Sequence, residues 1–177
     1  MIEWAYFPRN QKITPLGTKV VEVFEAAAVK IDSESNNDKI KVGFTEAASD
    51  AVLSQLRNGL ETIGFKVEGG KKSKQKISVP VLFGRDGKAA RTFDADAYHE
   101  GQGFVLEVEA GRAITNNQFL KDVFQASVMV DVDYLAIALR RIYRDSADFE
   151  KAHTFLETLY ASDRLKLPLK GMLLIGY

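Results

Sequence analysis

The sequence predicts an α/β protein of the α+β kind, a mixed β-sheet with helices laid over it. Three observations predict this class. Apolar residues recur at helical spacing through residues 16–31 and 45–63. Between residues 76 and 113, runs rich in β-branched and aromatic residues are punctuated by the turn sequences "RDGK" and "EGQG". After residue 115, helical patterns alternate with near-continuous apolar runs, as expected for strands covered on both faces.

The elements follow in order. Val20, Phe24, Ala27 and Ile31 form one stripe of a first helix. Thr45-Glu46 opens a second, with Ala48, Val52, Leu53, Leu56, Leu60 and Ile63 facing inward and Gly64 at its stop. "FKVEG" reads as a short strand. "KISVPVLFG", "ARTFDADAYH" and "FVLEVEAGRA" read as three strands of an antiparallel meander. "TNNQFLKDVFQASVM" is helical, capped by Thr115 or Asn116, with Phe119, Val123, Phe124 and Ala126 inward. "DYLAIALRRIY" is a buried strand, "SADFEKAHTFLETLYAS" a helix and "LKGMLLIGY" a closing strand. Trp4, Tyr6 and Phe7 are expected to pack on the body of the protein.

At 177 residues, with 46% hydrophobic and 27% charged side chains, the chain suits a single domain over residues 1–177. The absence of cysteine excludes disulfides and thiolate metal sites. No apolar run approaches the ~20 residues that span a bilayer, and the first residues lack a secretory pattern, so a cytoplasmic protein without membrane contact is expected. Formal net charge is zero, yet residues 66–91 hold eight basic side chains against two acidic ones. That stretch suits either a solvated basic hairpin or contact with phosphate.

The chemistry concentrates in "FDADAYHEGQGFVLEVEAGRA", residues 93–113. Asp94 and Asp96 alternate along one predicted strand, Glu107 and Glu109 along the next. A hairpin turning at Gly101–Gly103 sets Asp96 opposite Glu107 and Asp94 near Glu109, with Ala95, Ala97, Leu106 and Val108 on the core side. Like charges directly across a strand pair are unfavourable unless compensated. The face is therefore either solvated or a binding place for a hard divalent cation. If the carboxylates converge without a cation, burial and repulsion raise at least one pKa.

Asp, then Glu-x-Lys on an antiparallel partner strand, then a helix and a further strand, is the pattern of the PD-(D/E)xK nuclease superfamily. Residues 76–145 resemble it, with Asp96 and "Glu107-Val108-Glu109" in the motif positions. Glu109 departs from the usual lysine, as in one restriction-enzyme branch of the superfamily. The resemblance implies a restriction-endonuclease-like αβββαβ core, hydrolysis of DNA phosphodiester bonds, and a Mg²⁺ cofactor that Mn²⁺ can replace. It implies that Asp96 and Glu107 hold the metal, with Asp94 in reserve, and that Glu109 positions or deprotonates the attacking water. It further implies a glutamate from the first helix, Glu22 or Glu25, which the spacing alone leaves as readily on the surface.

Arg112, Asn116 and Asn117 would face a bound phosphate, although an Arg112 ion pair and asparagine helix caps fit the sequence equally. Lys71 or Lys72 could supply the missing lysine, and the arginines of "RRIYR" at 140–144 could meet phosphate. His99 and His153 read as structural. No nucleophilic triad, phosphate-binding glycine loop or zinc spacing occurs. The other class left open is a non-catalytic nucleic-acid-binding or interaction module; a homodimer is left open as well.

Overall fold

The computed structural model describes residues 1–31, 47–70, 75–162 and 164–177; Thr45, Glu46, Lys71 and Lys72 lie outside them. The chain enters through a strand that the sequence reading did not assign, β1 (Glu3–Phe7). Helix α1 (Pro15–Ile31) follows. Thr14 caps it, accepting the Gly17 N–H at 3.0 Å, and proline occupies the first turn, where its missing N–H does no harm. Helix α2 (Ala47–Thr62) ends at Gly64, whose φ of 98° closes the turn while the Phe65 N–H reaches back to the Leu60 carbonyl.

Six strands make the main sheet. After β2 (Lys66–Val67) come β3 (Ile77–Phe83), β4 (Ala89–Ala95), β5 (Ala97–His99) and β6 (Phe104–Glu109). Helix α3 (Gln118–Val128) leads to β7 (Tyr134–Leu139), and α4 (Asp148–Ser162) to β8 (Gly171–Gly176). The sheet order is β1-β8-β7-β6-β5-β2. Strands β6, β7 and β8 run parallel, joined by the crossovers through α3 and α4, while β1, β5 and β2 pair antiparallel at the flanks. The fold is α+β with a mixed sheet, as the sequence predicts.

Strand alternation divides the core into two layers. Leu106 and Val108 of β6, Ala136 and Ala138 of β7, and Leu173 and Ile175 of β8 pack under α1 and α2. Val105, Leu135, Ile137, Leu139, Met172 and Leu174 face α3 and α4. Both faces being covered, β7 and β8 read as unbroken apolar runs. Strand β7 stops at Leu139, short of the expected 133–143 run.

Three expectations need correction. The expected three-stranded meander is two separate pairings. Strand β3 pairs with β4 in a two-stranded ribbon of its own, and β5 pairs with β6 in the main sheet. The continuous run "ARTFDADAYH" bends at Asp96: Ala95 pairs with Ile77 in the ribbon, and Ala97 with Leu106 in the sheet. On α3, Phe119, Val123 and Ala126 are buried but Phe124 is 62% exposed. One residue beyond Val123 is a 100° rotation, which carries Phe124 off the stripe and leaves Asp122 on its other flank. The helix also lacks the expected Thr115 or Asn116 cap; Asn117 stands at its N-cap in the left-handed region, with no side-chain capping bond.

The two phenylalanines of α3 test this phase directly. Phe119→Ala should cost about 3–5 kcal/mol, and Phe124→Ala no more than about 0.5 kcal/mol. Urea unfolding of both variants measures it, and equal losses would contradict the helix orientation.

Candidate functional site

Alternation on β6 puts Glu107 and Glu109 on the same side as Val105, toward α3 and α4. Both are partly buried there. Asp96 joins them from the bend between β4 and β5, also partly buried, and Asp122 descends from α3 with 5% exposure. Four carboxyl groups from three parts of the chain thus share one site, and the solvated acidic face considered from sequence does not describe it.

Asp96 is the anchor. Its Oδ2 accepts the Val108 N–H at 2.8 Å, its carbonyl accepts the Glu68 N–H at 2.8 Å, and its own N–H donates to the Glu107 carboxylate. The β5–β6 register continued one step places Asp96 beside Glu107. Beyond it, Glu68 is buried and paired with Lys76, Nζ to Oε1 2.7 Å. The Lys76 ammonium lies within the electrostatic reach of Asp96. At the far end, Glu109 and Asp122 share a hydrogen bond, and Asp122 Oδ2 is buried with no partner.

Burial dominates the electrostatics. It pushes the Asp96 carboxyl up to about 6, against the Val108 N–H, which favours the charged form, and with Glu68 and Asp122 adding repulsion. Glu107 is raised well above the ordinary glutamate range, by burial first and then by Asp96, Asp122 and Glu109. In the Glu109–Asp122 pair burial raises both. The proton stays on Glu109, which donates to Asp122, and Lys121 draws both back.

The remaining sequence candidates fall elsewhere. Asp94 is exposed on the ribbon and accepts the Ser78 hydroxyl at 2.7 Å, so it does not meet Glu109. Glu22 and Glu25 are exposed on α1, whose buried face covers the opposite side of the sheet. Arg112 and Asn117 are exposed, both with positive φ. Of Asn116 only the backbone is described. His99 packs edge-on to Phe65, and His153 lies against Phe7 and Phe149. Asp122 went unnoticed in the sequence, as did the Glu68–Lys76 pair. The signal for Asp122 was its place three residues after Phe119 and four before Ala126, on a stripe otherwise apolar.

Hard oxygen donors and the orphaned Asp122 oxygen are of the kind that suits a divalent cation. Among the described residues, no three His, Cys, Asp or Glu side chains are disposed to hold one ion together. Compared with known families and curated proteins, the chain matches no family model and no curated protein.

The raised pKa values set a pH dependence. A carboxyl whose pKa is higher folded than unfolded stabilises the fold fully below the unfolded value, and that stability is lost as pH rises through the folded value. For Asp96 and Asp122 the window runs from 3.8 to about 6; Glu107 and Glu109 extend the loss upward. The metal-free protein should lose about 1.4 kcal/mol per pH unit for each carboxyl protonated only when folded. Urea unfolding between pH 4 and 8 in the presence of a chelator measures this, and Asp96→Asn or Asp122→Asn should flatten the decline. A wild-type stability that does not fall would mean that the cluster is ionised throughout.

Proposed function

We propose that this chain is a divalent-metal-dependent nuclease, hydrolysing DNA phosphodiester bonds at the Asp96–Glu107–Glu109–Asp122 site. One observation carries the reading: four carboxyls of raised pKa converge in a partly buried site where one oxygen has no partner. Carboxyls perturbed by burial and by one another in this way are a recurrent feature of functional sites. The order of elements supports the restriction-endonuclease-like assignment. Helices α1 and α2 precede the antiparallel pair β5–β6, and α3 then carries the chain to β7, parallel with β6.

Asp96 and Glu107 would hold Mg²⁺ or Mn²⁺, backbone amides fixing their carboxylates. A bound divalent ion supplies activation of water and neutralisation of phosphate charge. Glu109 replaces the lysine of the common motif and is suited to take the proton of the attacking water once its own has passed to solvent. Asp122 orients Glu109 through their hydrogen bond. Among the described residues, no helix is long and apolar enough to cross a membrane, and a cytoplasmic location goes with this reading.

The second reading is a non-catalytic nucleic-acid-binding module of the same fold. What favours it is that no three acidic side chains among those described are disposed around one ion.

Incubation with supercoiled plasmid and with single-stranded DNA decides between them. Cleavage should require Mg²⁺ or Mn²⁺ and rise with pH through about 8, where Glu109 gives up its proton. It should vanish in Glu107→Gln and fall by about 100-fold or more in Glu109→Gln. Intact DNA under every condition, with binding retained, selects the second reading. Free ion at 100 times its dissociation constant should also stabilise the wild type by about 2.7 kcal/mol, and Asp96→Asn less.

A further inference from the structure

Beyond the last residues of β6 and β7 lies a pocket of about 340 Å³, lined by Arg112, Thr115, Tyr143, Arg144, Asp145 and Ser146. We infer that it binds a phosphate group, the one adjoining the scissile bond. The inference rests on the nuclease reading for the identity of the polynucleotide but not for the binding itself.

The pocket is built by packing. Residues 143–146 form a tight turn closed by two backbone hydrogen bonds between Tyr143 and Ser146, 2.9 and 3.0 Å, with Arg144 at φ 54°. The loop leaving β6 presses against it. A Cβ on Gly111 would stand 2.8 Å from the Tyr143 ring, so only glycine lets that loop approach, and Arg112 follows at φ 61°. The Tyr143 ring is flanked by two guanidinium groups, Arg140 at 5.7 Å and Arg144 at 5.5 Å from its centroid. Arg140 is 3% exposed, and its Nε has no hydrogen-bond partner.

The lining chemistry suits an oxyanion. Arg112, Arg144 and Thr115 line it, two side chains of the type that matches phosphate oxygens in pairs and a hydroxyl. Ser146 is already engaged, with its hydroxyl donating to Asp148 and accepting from Lys151 at 2.9 Å, which brings a further ammonium to the turn. Asp145 in the lining and Asp148 behind Ser146 oppose them. Arg112 lies three residues past Glu109, at most about 10 Å of extended chain. The Glu109 carbonyl accepts the Tyr177 hydroxyl at 3.2 Å, which fixes the strand end from which that short stretch leaves. One polynucleotide strand can therefore touch both places. The pocket also lies outside the carboxyl ends of parallel strands, where open α/β sheets take their ligands.

The test uses isotope-labelled, metal-free protein titrated with inorganic phosphate, with a 5′-phosphorylated thymidine dinucleotide, and with acetate. Both phosphates should give saturable shifts in the amides of Arg112, Thr115 and Arg144, and acetate should give none. Arg112→Gln and Thr115→Val, folded as judged by an unchanged Tm, should weaken phosphate binding tenfold or more, and Glu107→Gln should not. In metal-dependent cleavage, Arg112→Gln should raise KM with little change in kcat, as for a contact made equally in ground and transition states. No saturable shift, equal response to acetate, or binding unaltered in both pocket variants overturns the inference, whatever the cleavage assay shows. Tighter binding of the dinucleotide than of inorganic phosphate identifies the nucleic-acid source, and saturable binding with no cleavage of DNA removes the nuclease reading alone.

Discussion

A single run of chain, Ala89 to His99, takes part in two sheets, and Asp96 is where it crosses between them. A strand that leaves a sheet strands the amides it was pairing with, and buried amides need partners. Asp96 provides them. Its carboxylate takes the Val108 N–H of β6, its carbonyl takes the Glu68 N–H beyond β2, and its own N–H reaches Glu107. Three neighbouring segments are therefore tied through one residue. The ribbon β3–β4 depends on this crossing, because Val79 and Ala95 pack against the α3 side of the core only when the chain bends here.

The same knot concentrates negative charge where water is scarce. The fold tolerates it by keeping protons: Glu109 holds one against Asp122, and Glu107 is driven toward its neutral form. Apolar side chains at these positions would remove the repulsion and would suit the surroundings, which include Val105, Val123 and Ala113. Stability alone does not account for the cluster; the proposed metal site would, since binding a cation there would release those protons.

How far the sequence revealed this depends on which residues were local to one another. The Asp96–Glu107 juxtaposition was legible because Gly103, left-handed at φ 56°, closes a short turn that sets the register of β5 on β6. Asp94 was misplaced because the alternation of "ARTFDADAYH" is that of one straight strand, and nothing in it announces the bend. The α1 glutamates were assigned by analogy, although Val20, Val21, Phe24 and Ala27 already defined a stripe that excludes them. Asp122 lay hidden because an acidic residue on an apolar stripe reads as an interruption until the strand beneath it is known. Strand β1 was invisible for a different reason: its pairing partner is at the far end of the chain, and five residues carry little pattern of their own.

That last pairing bears on how the protein is made. Glu3 pairs with Gly176 and Phe7 with Met172, so one edge of the sheet joins the earliest strand to the latest. Strand β8 is also the partner that completes the parallel set with β7. During synthesis β1 emerges well before β8 and has no strand to join until residues 171–176 have left the ribosome. Tyr6 and Phe7, both buried in the finished fold, stay exposed for that interval. Closing this edge of the sheet is therefore a long-range step that comes after the local contacts have formed. The nascent protein relies on α1, α2 and the β5–β6 hairpin, whose contacts are local, to hold itself together until the two ends meet.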